Sequence, residues 1–294
     1  MAARPEPGKP RLGEEGILHG HSLANSRAST LRSAGCQTSL MDLGLAGRKA
    51  FVTGGSHGIG LAIAQALADE GAAVVICGRD RDRLARAGFP AVQADVTNTA
   101  DLGRAVDEAA DRLGGLDLLV ANAGGSVGGG LLVSTPEDWI ATFALNVLHA
   151  AHAIRCAVPY FEASGGGNAL IIASITGWKS GPKSSYAAAK AAEIHLAATL
   201  GQELGPRNIR VNALSPGSVL FPDGGWDKFR LAHPDQFAAF AAGDFPRGRL
   251  VELREVVDTA CFLLSPRASG INGANICVDA GQDHPSAARF FPAD

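Results

Sequence analysis

Unbalanced charge is the first thing this sequence lacks: 26 Lys and Arg stand against 29 Asp and Glu in 294 residues, a formal charge of -3. So nearly neutral a chain offers no electrostatic case for nucleic acid or anionic lipid as partners. Paired cysteines are missing as well. Cys36, Cys77, Cys156, Cys261 and Cys277 are scattered without a CxxC, which fits free thiols in a reducing cytoplasm better than a disulfide framework. No apolar run approaches the roughly eighteen residues of a membrane span, and the polar first forty residues hold no apolar core of a signal peptide. Metal-ligand spacing is absent too: His149 and His152 have no HExxH and no third ligand at useful distance, so no metal is expected. Aromatic residues amount to 6%, and the chain has two tyrosines, Tyr160 and Tyr186.

What is abundant is glycine, 37 residues in a composition 46% apolar, which suits tight turns and closely packed helices. From Lys49 onward, short β runs alternate with helical stretches. Strands are expected at 50–53, 73–77, 91–94, 116–121, 169–173, 209–214 and 275–278, and helices at 59–70, 135–161, 184–204 and 253–264. Strands this apolar, separated by helices, mark a parallel sheet covered on both faces. The expected class is α/β: a single Rossmann-type, doubly wound parallel sheet of about seven strands, with its ligand crevice at the carboxyl ends of the strands. Residues 1–40, rich in Arg, Pro, Gly and Ser, read as an extension without folded structure or an upstream start, and 41–294 as the catalytic domain. The stretch 218–247, with Trp226, Phe229 and Phe237, reads as an inserted lid.

The first strand leads into Thr53-Gly54-Gly55-Ser56-His57-Gly58-Ile59-Gly60. Its GxxxGxG spacing departs from the general GxGxxG fingerprint, but the physics is shared. Glycines let the backbone turn tightly and approach a pyrophosphate, and free N–H groups at a helix start attract the anion. Thr53, Gly54, Ser56, His57, Gly58, Ile59 and Gly60 are therefore candidate cofactor contacts. At the end of the second strand, where an NAD site usually carries a carboxylate for the ribose 2′-hydroxyl, stand Gly78 and Arg79. The missing carboxylate removes repulsion against a 2′-phosphate, and a guanidinium can bind one bidentately. NADP(H) is the favoured cofactor; NAD(H) stays open, because Asp80 and Asp82 partly neutralise the patch.

Tyr186-Ala-Ala-Ala-Lys190 puts a phenol and an ammonium one helical turn apart on one face, downstream of Ser174. A phenol beside an ammonium is a way to make an acid/base catalyst from a group that normally holds its proton, so Tyr186 is the candidate general acid, or base in reverse. A free phenol titrates near about 10, and bringing it to about 7 takes about 4 kcal/mol. One ammonium about 5 Å away supplies roughly 3 kcal/mol at an effective dielectric of about 20, before desolvation works against it. Lys190 alone is thus marginal, and a positively charged oxidised nicotinamide would add a similar amount. Ser174, closing the run Ile171-Ile172-Ala173-Ser174, can donate to a substrate carbonyl.

In this order the motifs resemble the short-chain dehydrogenase/reductase family in its common form, over roughly Leu43 to Gly281. Beside the glycine turn and the Tyr–Lys pair, the resemblance rests on Asp95-Val96, Asn122-Ala123-Gly124, Asn146, Pro216-Gly217 and Val278-Asp279-Ala280-Gly281. It implies that Asp95 and Val96 lie near the adenine and that Asn122, Ala123 and Gly124 pack against the cofactor. Tyr186 and Lys190 would also meet the cofactor, Lys190 by bonding the nicotinamide ribose. Asn146, inside a helix 139–158, would hold a water that relays protons to Lys190. Pro216, Gly217 and Val219 join the cofactor contacts; Val219 would act through its backbone, since the threonine that many relatives carry after Pro216-Gly217 is missing here.

The resemblance implies an NAD(P)-dependent oxidoreductase acting on a small-molecule ketone or secondary alcohol, with Asn146, Ser174, Tyr186 and Lys190 as the catalytic set. One alternative is reduction of a 3-oxoacyl thioester, against which the lid shows no basic cluster to dock an acidic carrier protein. Another is a cofactor-sensing scaffold without catalysis, which would not need to retain Ser174, Tyr186 and Lys190. A homotetramer, or a homodimer, is implied through the Ala-rich faces 139–158 and 187–200 and the last strand. Trp178, Trp226 and Phe229 either line an apolar substrate pocket or make hydrophobic contacts that close the lid or join subunits.

Overall fold

The computed structural model describes residues 42–181 and 183–283; the expected extension 1–40 lies outside them. The alternation folds as β1 (Lys49–Thr53), α1 (Gly58–Asp69), β2 (Ala73–Gly78), α2 (Arg81–Arg86), β3 (Ala91–Gln93), α3 (Thr99–Leu113) and β4 (Leu118–Ala121). Then come α4 (Pro136–Phe143), α5 (His149–Ala163), β5 (Gly167–Ile172), α6 (Ser184–Leu204) and β6 (Ile209–Pro216). The chain continues through β7 (Val219–Leu220), α7 (Gly225–Ala232), α8 (Pro234–Asp244), β8 (Val251–Glu252), α9 (Leu253–Leu264) and β9 (Asn275–Val278). Seven parallel strands form one sheet in the order β3-β2-β1-β4-β5-β6-β9. The winding reverses between β1 and β4, and there the crevice opens at the carboxyl ends of the strands.

The strands are apolar throughout because both faces are covered, yet they sort their side chains by parity. Val52, Ile76, Val120 and Leu170 share one core with Ile63 and Leu67 of α1 and Val256 and Leu263 of α9. Phe51, Val75, Leu119 and Ile171 share the other with Leu102 and Val106 of α3, Ile154 and Phe161 of α5, and Ala197 of α6.

Three features differ from the sequence reading. First, α2 and α3 were not expected, although α3 buries Leu102, Ala105, Val106, Ala109 and Ala110 at helical spacing. The Asn98 side chain accepts from the Asp101 N–H at 3.1 Å to start α3, and Gly114 at φ +69° ends it. Second, the expected helix 135–161 is interrupted: α4 and α5 are joined by a π-helical turn at Ala144–Leu148. The whole run Pro136–Ala163 is, at 28 residues, long and apolar enough to cross a bilayer by length and composition, contrary to the sequence reading. In this fold Ala150, Ala153, Ala157 and Phe161 of that run sit in the core shared with α3 and the sheet. Third, the lid 218–247 is built of regular elements, with β7 pairing to β8 and α7 and α8 packed by aromatic contacts. Trp226 stacks on Phe240 with ring centroids 4.5 Å apart and meets Phe229 edge-on at 5.9 Å.

Candidate active site

The turn between β1 and α1 needs glycine for two reasons. Gly54 and Gly58 have φ of +62° and +58°, a region that other residues rarely occupy. A Cβ on Gly60 would overlap Asn122 Nδ2 and the Gly54 carbonyl, so glycine there lets the helix close on the sheet. At the start of α1, His57 is extended and offers no side-chain cap, and the first turn has no acidic residue. Its opening N–H groups therefore keep their affinity for an anion. Asn122 secures the turn from the β4 side, donating from Nδ2 to the carbonyls of Thr53 at 3.0 Å and Gly54 at 3.2 Å.

A cavity of about 440 Å3 runs along this turn. Of the sequence-derived cofactor contacts, Gly54, Ser56, His57, Gly58, Ile59, Arg79, Val96, Asn122, Ala123 and Gly124 line it. Thr53, Gly60, Asp95, Tyr186, Lys190, Pro216, Gly217 and Val219 do not. Thr53 is fully buried, and its hydroxyl accepts from the N–H groups of Asn122 and Ala123. Asp95 is turned onto Thr97, whose N–H and hydroxyl donate to it at 2.9 and 2.7 Å; these bonds hold its carboxyl below the usual range. Val219 is buried in β7, paired with Val251, and Pro216 closes β6. Sequence reasoning missed Arg83, Phe221 and Leu145 on the cavity wall. Arg83 could have been found as the third arginine of the run that begins at Arg79.

Tyr186, Ser174 and Gly217 line a second cavity of about 350 Å3, with Ser126, Thr176, Lys183 and Trp226. Ser174 Oγ accepts from the Thr176 N–H at 3.2 Å and the Thr176 hydroxyl at 3.1 Å, which leaves its own hydrogen free. Lys190 Nζ sits 5.6 Å from the Tyr186 ring centroid and donates to the Ile172 carbonyl at 2.8 Å. Burial works against the Lys190 ammonium, but the Glu193 carboxylate 2.8 Å away and the Tyr186 phenol keep its pKa above the ordinary value. Of the three aromatic residues left open, Trp226 faces this cavity, Phe229 is buried in the lid, and Trp178 is 51% exposed beneath Lys179 Nζ. A larger cavity of about 540 Å3, lined by Asp117, Asn168 and Asn208, holds none of the candidate residues.

Asn146 lies in the π turn rather than in a regular helix. Its Nδ2 donates to the carbonyls of Gly125 and Thr142, both at 2.7 Å, and its Oδ1 accepts from the Gly125 N–H at 3.2 Å. A Cβ on Gly124 would come 2.7 Å from Asn146 Oδ1 and 3.2 Å from Lys190 Nζ, so these two side chains flank the same glycine. His149 and His152 face different partners. His149 Nε2 meets Thr53 Oγ1 at 3.0 Å, and burial, helped by Lys190, drives its pKa down to about 3. His152 Nε2 meets the Thr99 carbonyl at 2.8 Å.

Residues 54–283 match the family described as enoyl-(acyl carrier protein) reductase. The chain is 36% identical over 247 residues to L-xylulose reductase of Bos taurus, covering 82% of this chain and 98% of that one. Among solved structures it resembles 7α-hydroxysteroid dehydrogenase complexed with NADH and 7-oxo glycochenodeoxycholic acid, at 31% identity and a TM-score of 0.73, with 82% and 96% of the two chains covered. It also resembles L-sorbose reductase of Gluconobacter frateurii complexed with NADPH and L-sorbose, at 32% identity and a TM-score of 0.74, covering 82% of this chain and 98% of that one. The chain belongs to the short-chain dehydrogenase/reductase family of oxidoreductases.

Proposed function

We propose that this oxidoreductase transfers hydride between NADP(H) and a ketone or secondary alcohol, with Tyr186 as proton donor and acceptor. One observation carries the reading: Tyr186 and Ser174 open onto one cavity, Lys190 is buried behind the tyrosine ring, and this cavity adjoins the glycine-turn cavity at Gly124 and Gly125.

The glycine-turn cavity fits a dinucleotide. Uncapped N–H groups of α1 suit a pyrophosphate, and the glycines leave room for its approach. Gly124 and Gly125, where the two cavities adjoin, would flank a bound nicotinamide, whose chemistry would be to supply or take up a hydride. In the reducing direction the free Ser174 hydrogen donates to the substrate carbonyl oxygen and draws electron density toward it. The Tyr186 hydroxyl then gives that oxygen the proton that completes the alcohol. Lys190 directs one N–H to the Ile172 carbonyl and another toward Glu193, which leaves the third for a ribose hydroxyl. Asn146 braces the Gly125 backbone between the two cavities.

The preference for a 2′-phosphate is supported at the end of β2. Gly78 presents no carboxylate, and Arg79 and Arg83 share the wall. Asp80 is occupied as the cap of α2, accepting from the Arg83 N–H at 3.0 Å and pairing with Arg83 Nε at 3.4 Å. A homotetramer formed through α4, α5 and α6 would cover Ile140 and Leu148, which are 68% and 60% exposed.

The test follows NADPH consumption with a panel of polyhydroxy and cyclic ketones, plus an acetoacetyl thioester to separate the acyl reading. Turnover with a ketone is expected, and Tyr186→Phe should lose about a thousandfold in rate while still binding NADPH. Undiminished turnover in that variant would overturn the mechanism.

A further inference from the structure

The carboxylate beside Lys190 belongs to none of the motifs above. Glu193 lies one turn further along α6, and its Oε2 is 2.8 Å from Lys190 Nζ, with side-chain exposures of 2% and 3%. At that distance the ion pair is close enough to be charge-assisted as well as electrostatic. Burial raises the Glu193 carboxyl, and the ammonium draws it back. The other groups facing the pair add little charge. His149, across from Lys190, is neutral; Asn146 is an amide tied to Gly125; and Lys183 is exposed at the cavity wall, bonded to Ser126 Oγ at 3.1 Å. A carboxylate this close to an ammonium cancels much of its field at a phenol whose ring centroid is 5.6 Å from that ammonium.

We propose that Glu193 is a positioning residue of the proton-transfer site: it holds the Lys190 ammonium in place and offsets its charge, so that Tyr186 is primed by the bound oxidised cofactor more than by the lysine. The inference rests on the reading of Tyr186 as the proton carrier. It gives the lysine a restrained part, and leaves the larger share of the positive charge near the phenol to a cofactor able to accept hydride.

The two-tyrosine composition makes the test direct. Tyr160 donates to Asp107 at 2.8 Å on the α5 surface, its pKa pushed up to about 12 by that bond. In a Tyr160→Phe background Tyr186 is the one phenol left, and its ionisation can be followed by phenolate absorbance with no substrate present. Glu193→Gln keeps the shape and removes the charge. It should move the Tyr186 midpoint down by about one pH unit in cofactor-free protein, and move the pH limb of alcohol oxidation the same way. Glu193→Asp, which draws the carboxylate back, should give a smaller shift in the same direction. A midpoint unchanged in a folded variant overturns the proposal. So does failure of both variants to fold, which would assign the pair to stability. The titration needs no turnover, so loss of the ketone reading would show in the NADPH assay and not here.

Discussion

Thr53→Val isolates the buried hydroxyl on which the site's framework hangs. Thr53 Oγ1 accepts from the N–H groups of Asn122 at 3.0 Å and Ala123 at 3.2 Å, meets His149 Nε2 at 3.0 Å, and lies 3.3 Å from the Val120 carbonyl. Valine keeps the volume and deletes the oxygen. Two backbone donors and one ring nitrogen then lose their partner with little access to water, at about 1–3 kcal/mol each, so a total of at least about 3 kcal/mol is expected. In a domain of this size each kcal/mol moves the melting temperature by about 2–4 °C, which gives a fall of about 10 °C. Thr53→Ser keeps the oxygen and should cost only about 1 kcal/mol for the lost methyl. Urea and thermal unfolding at fixed protein concentration measure both variants. NADPH affinity should fall with stability in the valine variant, because the released N–H groups belong to the segment lining the glycine-turn cavity proposed to hold the dinucleotide. A valine variant within about 1 kcal/mol of wild type, or a serine variant as unstable as the valine one, would refute the hub.

Two further outcomes test other parts of the molecule. Replacing Arg79 and Arg83 together by alanine should raise KM for NADPH about tenfold and leave KM for NADH within about twofold; equal losses for both cofactors would remove the arginines from phosphate recognition. Glu255 reports on acid stability: the Arg249 guanidinium, with the Glu252 N–H, holds its carboxyl at about 2, below the ordinary 4.5. Since the folded value is the lower one, its contribution is complete above about pH 4.5 and is lost as the pH falls toward 2. Glu255→Gln should therefore melt below wild type at neutral pH, the gap closing through that window, and a gap independent of pH would show that the charge contributes nothing.

The sheet was legible because a strand buried on both faces has to be apolar at every position, and seven such runs stand out against polar turns. Helix α3 was legible too, in the spacing of Leu102, Ala105, Val106, Ala109 and Ala110, although only the strands around it were read. The π turn was not. Nothing in Ala144–Leu148 departs from helical composition; the extra residue is accommodated where Asn146 bonds Gly125, a partner distant in sequence. The candidate site divides the same way. Tyr186 and Lys190 could be paired from spacing alone, as they lie one turn apart on α6. Glu193 shares that spacing, yet on paper it is an ordinary helix-surface acid, and only burial against Lys190 gives it a charge to answer.

Thr53 shows the opposite error: standing first in a glycine-rich motif it reads as a cofactor contact, while the fold uses it to fasten β4 to β1. Residues of one motif can thus serve different masters, and burial separates them. Gly124 makes the point sharpest. Any side chain there would press on Asn146 Oδ1 and Lys190 Nζ together, so the missing atom is what lets both side chains approach this backbone. One backbone segment, 122–125, borders both cavities, and the function proposed above couples cofactor binding and proton transfer through it.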